Sequence, residues 1–201
     1  MLEQPAVRRA RPEDIPELAA MLARAFLEDP VVCWAYKARD PRPSALERFQ
    51  ATRLRQLVGG EEVWTTDDLS CAALWAAPGH WRMNVREELE IVRTFLPPRL
   101  AWRIPLLVVG WHGLERHHPG KTPHFYLAVL GTEPAAQGRG LGSAVLHGVL
   151  DQCDADGIGA YLESSKESNI DFYARHGFRV TEEVRLTRGP PMWSMWRDPL
   201  P

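Results

Sequence analysis

The feature that most constrains the fold is a glycine-rich loop, which joins a predicted buried strand to a predicted helix. The loop is Gln137-Gly138-Arg139-Gly140-Leu141-Gly142. The near-continuous apolar segment Phe125–Gly131 precedes it and predicts a strand inside a sheet. The amphipathic pattern over Gly138–Asp154 predicts a long helix after it. Because N–H groups at a helix N-terminus carry partial positive charge, this arrangement indicates an anion site.

The spacing of the glycines excludes two common nucleotide loops but leaves two interpretations open. A P-loop requires GxxxxGK[ST], and no lysine stands in that position. A Rossmann fingerprint requires GxGxxG, and Ser143 stands where the third glycine would be. The GxSxG motif of serine hydrolases does not occur either. The loop is then either a phosphate site, to which Ser143 adds a hydroxyl donor, or a turn without a ligand.

Charge and cysteine content exclude several classes of function. The chain has 24 basic and 26 acidic residues and a formal net charge of −2, so we expect neither a nucleic-acid nor a membrane partner. The three cysteines have no CxxC spacing, which indicates a reducing compartment and no metal site. The first residues lack the apolar run of a signal peptide. We therefore expect a cytoplasmic protein.

Alternating strand and helix patterns predict a mixed α/β sheet in a single domain spanning residues 1–201. Further strand patterns fall at Ala6–Arg9, Glu62–Thr66, Ser70–Ala76, Ala160–Glu163, Gly177–Leu186 and Met192–Arg197. Helical patterns fall at Arg11–Phe26, Ser44–Val58 and Asn169–His176. Pro30 is expected to end the first of these helices. Residues 79–123 show a helical pattern with interruptions and are the least regular part of the chain.

The order of the motifs resembles the GCN5-related N-acetyltransferase (GNAT) superfamily. The resemblance rests on the strand Leu127–Gly131, the glycine loop, and the later run Asn169-x-x-Phe172-Tyr173-x-x-x-Gly177-Phe178. The stretches that look most like the branch containing puromycin N-acetyltransferase are Ala25–Pro30, Ala73–Pro78, Ala128–Leu146 and Tyr161–Val180. The resemblance implies the GNAT fold, a splayed mixed sheet of about seven strands flanked by helices. It is loose over Gly79–Pro123, which should shape the acceptor side.

The resemblance also implies acetyl-CoA as the cofactor. Its pantetheine would lie between two parting central strands, and its pyrophosphate would lie on the glycine loop. The implied cofactor-binding residues are Leu130, Gly131, Thr132, Gln137, Gly138, Arg139, Gly140, Leu141, Gly142, Ser143 and Asn169. By its position alone, Asn169 is equally an N-cap of the short helix that follows it.

Tyr173 is the implied general acid, because attack of an amine on a thioester leaves a thiolate that a nearby phenol can protonate. From its position alone, Tyr173 is also a plausible core aromatic beside Phe172. The base is less clearly indicated. His124 has a suitable ordinary pKa and occupies the strand on which several family members place a base. Glu163, Glu28 and ordered water are the competing candidates, and we expect His112, His117 and His118 to be solvated.

The sequence contains eight tryptophans, a type favoured where an apolar surface meets a polar ligand. Trp34 follows the segment Ala25–Pro30, which lines the acceptor side in this family, and Trp193 follows the closing turn. We expect Trp34, Trp193 and the nearby Glu28 to contact the acceptor. Strand positions predict that Trp64, Trp75 and Trp196 lie in the core, and ordinary packing is slightly favoured for Trp81, Trp102 and Trp111.

Together these features indicate an acetyl-CoA-dependent N-acetyltransferase that acts on a primary amine of a small molecule. Transfer would be direct, within a ternary complex. Two alternatives stay open at this point. The first is a catalytically silent domain that binds or senses acyl-CoA. The second is a protein N-acetyltransferase, which is less favoured because nothing in the sequence indicates a peptide groove.

Overall fold

Seven strands pair into one sheet among the residues described by the computed structural model, which are 6–36, 43–58, 62–95 and 98–200. The strands are β1 (Val7–Arg9), β2 (Glu62–Thr66), β3 (Cys71–Ala76), β4 (His124–Thr132), β5 (Gly159–Ser164), β6 (Arg179–Arg185) and β7 (Pro191–Arg197). They follow the order β1-β2-β3-β4-β5-β7-β6. Only β4 and β5 are paired in parallel, and the other described pairs are antiparallel. The predicted mixed sheet of seven strands is confirmed.

Seven α-helices flank the sheet within the described ranges. They are α1 (Ile15–Ala25), α2 (Pro30–Tyr36), α3 (Pro43–Leu57), α4 (Val85–Phe95), α5 (Ile104–Glu115), α6 (Leu141–Asp156) and α7 (Ile170–Ala174). Short 3-10 turns cover Pro12–Asp14, Pro98–Arg103, Pro134–Ala136 and Glu167–Asn169. None of the helices in the described part of the chain combines the length and the hydropathy that a membrane crossing requires.

The first helix does not reach Pro30, so the expectation that this proline ends it is wrong. Helix α1 ends at Ala25, and Pro30 is instead the first residue of α2. Asp29 explains the new start, because its Oδ1 accepts the backbone N–H groups of Val31 at 2.9 Å and Val32 at 3.1 Å. Proline fits the first turn of a helix, where no N–H is needed.

Different helices pack against the two faces of the sheet. Alternate residues of a strand point to opposite faces. On one face, Trp75, Leu127 and Leu162 pack with side chains of α6 and with Tyr173 of α7. On the other face, Leu74 packs with Leu22 of α1 and with side chains of α3. We call these the α6 face and the α1 face. Trp75 is fully buried, as predicted.

One extra residue in β4 changes the pairing at the centre of the sheet. Leu74 of β3 lies opposite Val129, and the next residue, Trp75, lies opposite Leu127. Ala128 is therefore a β-bulge, which bends the strand and shifts its alternation. On the other side, pairing of β4 with β5 stops at Leu127 and Leu162. Beyond that point the two strands part.

Arg197 holds the last strand to the helices that carry the site. Its guanidinium is buried and donates to both carboxylate oxygens of Asp154 in α6, at 2.7 Å each. Its Nε also donates to the carbonyl of His176, just after α7, at 2.9 Å. One side chain thus links β7, α6 and the end of α7.

We expect Asp154→Asn to lower the free energy of unfolding at pH 7 by about 1–2 kcal/mol, because a buried guanidinium loses its carboxylate partner. The hydrogen bonds from Arg197 lower the pKa of Asp154. Its stabilising effect is therefore complete above the ordinary carboxylate pKa of roughly 3.9 and is lost as the pH falls through the lowered value.

Urea unfolding across this pH range measures the effect. The matched control is Asp198→Asn. Asp198 directly follows Arg197 in the chain, and its carboxylate forms an exposed ion pair with Arg179. The control should stay near the wild-type stability. Equal losses in both variants would contradict the role given to Asp154.

Candidate functional site

A cavity of about 620 Å³ occupies the place where β4 and β5 part. Its walls come from the end of α1, both parted strands, the glycine loop, the start of α6 and α7. Of the predicted cofactor-binding residues, it brings together Leu130, Gly131, Thr132, Gln137, Gly138, Gly140, Leu141, Gly142, Ser143 and Asn169. The remaining one, Arg139, is exposed and is not part of the wall.

The parted edge of β4 offers backbone hydrogen-bonding groups to a ligand. The stretch 128–132 runs along the cavity, and no residue of β5 is paired with it. Backbone groups left without a strand partner favour an extended ligand that has amides of its own. The geometry therefore suits the pantetheine arm of acetyl-CoA, whose two amides are spaced along a chain.

The glycine loop is shaped as an anion cradle at the start of α6. Gly138 and Gly140 have φ values of +76° and +80°, which other residues adopt only with strain. A Cβ on either one would meet no atom within 4 Å, so the space above the loop is open. Gly140 is the N-cap of α6 and supplies no capping side chain. The first N–H groups of this helix therefore suit a pyrophosphate.

Two side-chain contacts fix the loop to its surroundings. The amide Nε2 of Gln137 donates to the carbonyl of Thr132 at 3.3 Å, which ties the loop back to the end of β4. The hydroxyl of Ser143 lies 2.9 Å from Nε2 of His176. The predicted helix start at Gly138 is three residues early, because the left-handed conformation at Gly138 and Gly140 delays the first helical residue to Leu141.

Tyr173 reaches the cavity from the α6 face. Its side chain lines the wall, and its ring contacts Phe172 and Phe178 with centroids 5.1 and 6.0 Å away. Burial raises the pKa of its phenol well above the ordinary value, so the group stays protonated at neutral pH. Asn169 holds the N-cap position of α7 without a capping side-chain hydrogen bond. Its side chain thus stays available to the cavity.

Glu163 reaches the same cavity from the opposite side of the sheet. Leu162 belongs to the core on the α6 face, so Glu163, the next residue of β5, points to the other face. Its side chain is 5% exposed, and one carboxylate oxygen lies 3.4 Å from Nδ1 of His118. The phenol of Tyr173 and the carboxylate of Glu163 therefore flank the parting strands from opposite faces.

His118 is buried, so the expectation that it is solvated is wrong. Only 8% of the residue is exposed, and its ring stacks on Trp81 with centroids 3.7 Å apart. The sequence pattern missed this because the partners, Trp81 and Glu163, lie far away along the chain. Its neighbour His117 is exposed and pairs with Glu182, as a solvated histidine does.

The structure places His124 behind the cavity. It is 2% exposed and does not contribute to the wall. Its Nδ1 lies 2.6 Å from the carbonyl of Thr122, and its Nε2 lies 2.9 Å from Nε2 of His118. Burial lowers its pKa, which favours the neutral ring. His124 thus has no open face toward a substrate.

A second, much smaller cavity of about 20 Å³ adjoins the first on the α1 face. Its lining residues are Trp81, Met83, Trp111, Leu114, Glu115, His118, Tyr126 and Glu163. Glu163 belongs to the walls of both cavities. Several lining residues come from the variable segment 79–123, which the sequence associates with the acceptor side.

The structure does not bring the three predicted acceptor residues into either wall. Trp34 lies in α2, where its Nε1 donates to the carbonyl of Arg188 at 2.9 Å. Trp193 lies on β7 opposite Ser164. Asp29 lines the large cavity, whereas Glu28, one residue earlier, does not. The contacts of Trp34, Trp193 and Glu28 with an acceptor stay predictions.

Asp29 is a wall residue that the sequence reasoning missed. It is 4% exposed, and besides capping α2 it accepts a hydrogen bond from the hydroxyl of Ser165. This contact joins the start of α2 to the segment after β5. An aspartate directly before a proline is a helix-start signal, and that signal could have identified the cap.

Comparison with known proteins agrees with this geometry. Residues 86–178 match the model of the acetyltransferase (GNAT) family. An uncharacterized N-acetyltransferase of Schizosaccharomyces pombe is 26% identical over 216 residues, covering 96% of this chain and 83% of the relative.

Solved structures share the fold over nearly the whole chain. One is a histone acetyltransferase HPA2 and related acetyltransferase from Corynebacterium glutamicum, with a TM-score of 0.70 and 22% identity over 99% of this chain and 98% of that one. Another is an agmatine N-acetyltransferase, with a TM-score of 0.61 and 14% identity over 98% and 100% of the two chains. The family model over residues 86–178 and the yeast N-acetyltransferase together support a GNAT-type acetyltransferase domain, and the solved structures show that the chain has the fold of acetyltransferases.

Proposed function

We propose that the protein transfers the acetyl group of acetyl-CoA to a primary amine of a small molecule. The observation that carries this proposal is the large cavity between β4 and β5, which joins an open strand edge, an anion cradle and a buried phenol in one wall. Pantetheine would pair with 128–132, and the pyrophosphate would lie at the N-terminus of α6. When bound, acetyl-CoA supplies the activated acetyl thioester.

The acceptor is a cationic amine. Two buried carboxylates, Asp29 and Glu163, line the large cavity, and they would attract an ammonium group. Glu115 adds a third carboxylate in the adjoining small cavity. The solved agmatine N-acetyltransferase of the same fold acts on a small cationic amine, which supports this choice of class.

Tyr173 is the general acid of this reaction. The amine nitrogen attacks the thioester carbonyl carbon, the carbon–sulfur bond breaks, and the leaving sulfur takes a proton from the phenol. The raised pKa of Tyr173 keeps that proton in place until the thiolate forms. The position of the ring on the α6 face leaves the α1 face free for the amine.

Thiol release measured over a panel of amines tests the proposed function. The panel should include polyamines and aminonucleosides, and a peptide with a free N-terminus should run beside it. We expect CoA release with at least one small amine and little with the peptide. CoA binding without release for any acceptor would support the silent-domain alternative. Release with the peptide alone would instead support a protein acceptor.

We expect Tyr173→Phe to lower kcat by about 10²–10⁴, because the leaving thiolate loses its proton source. The Kd for CoA should stay near the wild-type value, since the ring still fills its place between Phe172 and Phe178.

Tyr36→Phe is the matched control, because Tyr36 is also a buried tyrosine but lies in α2, outside the cavity wall. This control should keep wild-type turnover. Wild-type kcat in Tyr173→Phe would remove Tyr173 from the mechanism.

A further inference from the structure

We propose that Glu163 accepts the proton of the substrate ammonium and that His118 and His124 form a proton relay behind it. The inference deepens the proposed function and rests on it. Alkylamines are almost fully protonated at neutral pH, so acetyl transfer to an amine requires a group that first removes a proton. Glu163 is the carboxylate shared by the large and small cavities, and it faces the parting strands opposite Tyr173.

The contacts from Glu163 to His124 form a continuous chain. An oxygen of Glu163 lies 3.4 Å from Nδ1 of His118, and Nε2 of His118 lies 2.9 Å from Nε2 of His124. Nδ1 of His124 then lies 2.6 Å from the carbonyl oxygen of Thr122. All three side chains of the relay are nearly excluded from solvent.

The carbonyl at the end of the chain fixes the tautomer of both histidines. A carbonyl oxygen can only accept, so Nδ1 of His124 carries a hydrogen and donates it to Thr122. In the neutral ring that leaves Nε2 of His124 as an acceptor. Nε2 of His118 must then carry the hydrogen that the two rings share. A neutral His118 therefore presents the lone pair of Nδ1 to Glu163.

This arrangement leaves one proton position between His118 and Glu163. With that position empty, a lone pair faces a carboxylate, and the two groups repel each other. With one proton in it, either ring or carboxylate holds the hydrogen, and the contact becomes attractive. The empty state is therefore poised to take a proton, and the nearest source is an ammonium in the large cavity.

Every proton that the reaction moves then has a donor and an acceptor. The first proton of the ammonium passes to Glu163 before attack, and from there it reaches Nδ1 of His118. The attacking nitrogen loses a second proton when the amide forms. That proton replaces the one that Tyr173 gives to the sulfur, so each turnover releases one proton in total.

The small cavity gives this proton a route to water. Its volume of about 20 Å³ is enough for one water molecule, and both Glu163 and His118 line it. Glu115, half-buried in the same wall, could accept the next hydrogen bond. Alternatively, His118 can pass the hydrogen on its Nε2 to Nε2 of His124, away from the small cavity.

Other polar groups face the same carboxylate. The phenols of Tyr126 and Tyr161 lie near Glu163, and their burial, together with this negative neighbour, raises the pKa of both. Both phenols therefore stay protonated, and the hydroxyl of Tyr161 donates to Ser194 at 3.0 Å. Arg53 acts on Tyr126 from α3, and Glu182 acts on Tyr161 from β6. Neither phenol competes with Glu163 as a base.

The test is the pH dependence of kcat/KM for Glu163→Gln, His118→Gln and His117→Gln, measured with an amine that the wild-type enzyme acetylates. Wild-type kcat/KM should fall on the acid side, where the position between Glu163 and His118 is occupied. Glu163→Gln should lose about 10²–10⁴ in kcat with this acid limb abolished, while the Kd for CoA stays unchanged. His118→Gln should shift the pH at which kcat/KM falls on the acid side. The exposed control His117→Gln should leave that pH unchanged.

Wild-type turnover with an unchanged acid limb in Glu163→Gln would overturn the relay while leaving the proposed function standing. Absence of thiol release by the wild-type protein with every amine would instead refute the proposed function itself.

The ring nitrogens can also be observed directly, without relying on a variant that folds. Nitrogen-15 NMR of the wild-type imidazoles should show His124 protonated at Nδ1 and His118 protonated at Nε2. If His124 carried its hydrogen on Nε2, the relay would be wrong.

Discussion

The functional architecture depends on the point at which β4 and β5 stop pairing. Ala128 bulges out of register with β3, and the last β4–β5 pair is Leu127 with Leu162. Every residue of β4 beyond the bulge then has a free edge toward the gap. The glycine loop follows this edge directly, because β4 ends at Thr132 and α6 begins at Leu141. Strand edge and anion cradle are thus consecutive along the chain and suit the consecutive parts of one extended cofactor.

The parting of the strands also lets two chemically different groups approach one gap. Tyr173 belongs to the α6 face, with its phenol in an apolar core that favours the neutral form. Glu163 belongs to the α1 face, beside His118 and the phenols of Tyr126 and Tyr161. A paired sheet would separate these faces completely. Because side chains alternate along β5, Glu163 faces the opening from the side opposite to the phenol of Tyr173.

Local patterns in the sequence were enough to predict most strands, the long helix and the glycine loop. Hydrophobic period and glycine spacing are short-range signals, whereas the cofactor-binding positions between Leu130 and Ser143 were implied by the family resemblance. Pro30 is expected from the sequence to end a helix. It instead begins α2, because Asp29 caps that helix. His118 was misread because its burial depends on Trp81 and Glu163, which only the folded chain brings together.

The central claim is that the parted edge of β4 and the glycine loop bind acetyl-CoA. Titration of the labelled protein with CoA, followed through backbone amide NMR, measures this most directly. The largest shifts should fall in 128–132 and 137–143, with smaller ones around Asn169 and Tyr173. Binding that left both of the first two segments unchanged while shifting amides elsewhere would contradict the assignment of this cavity.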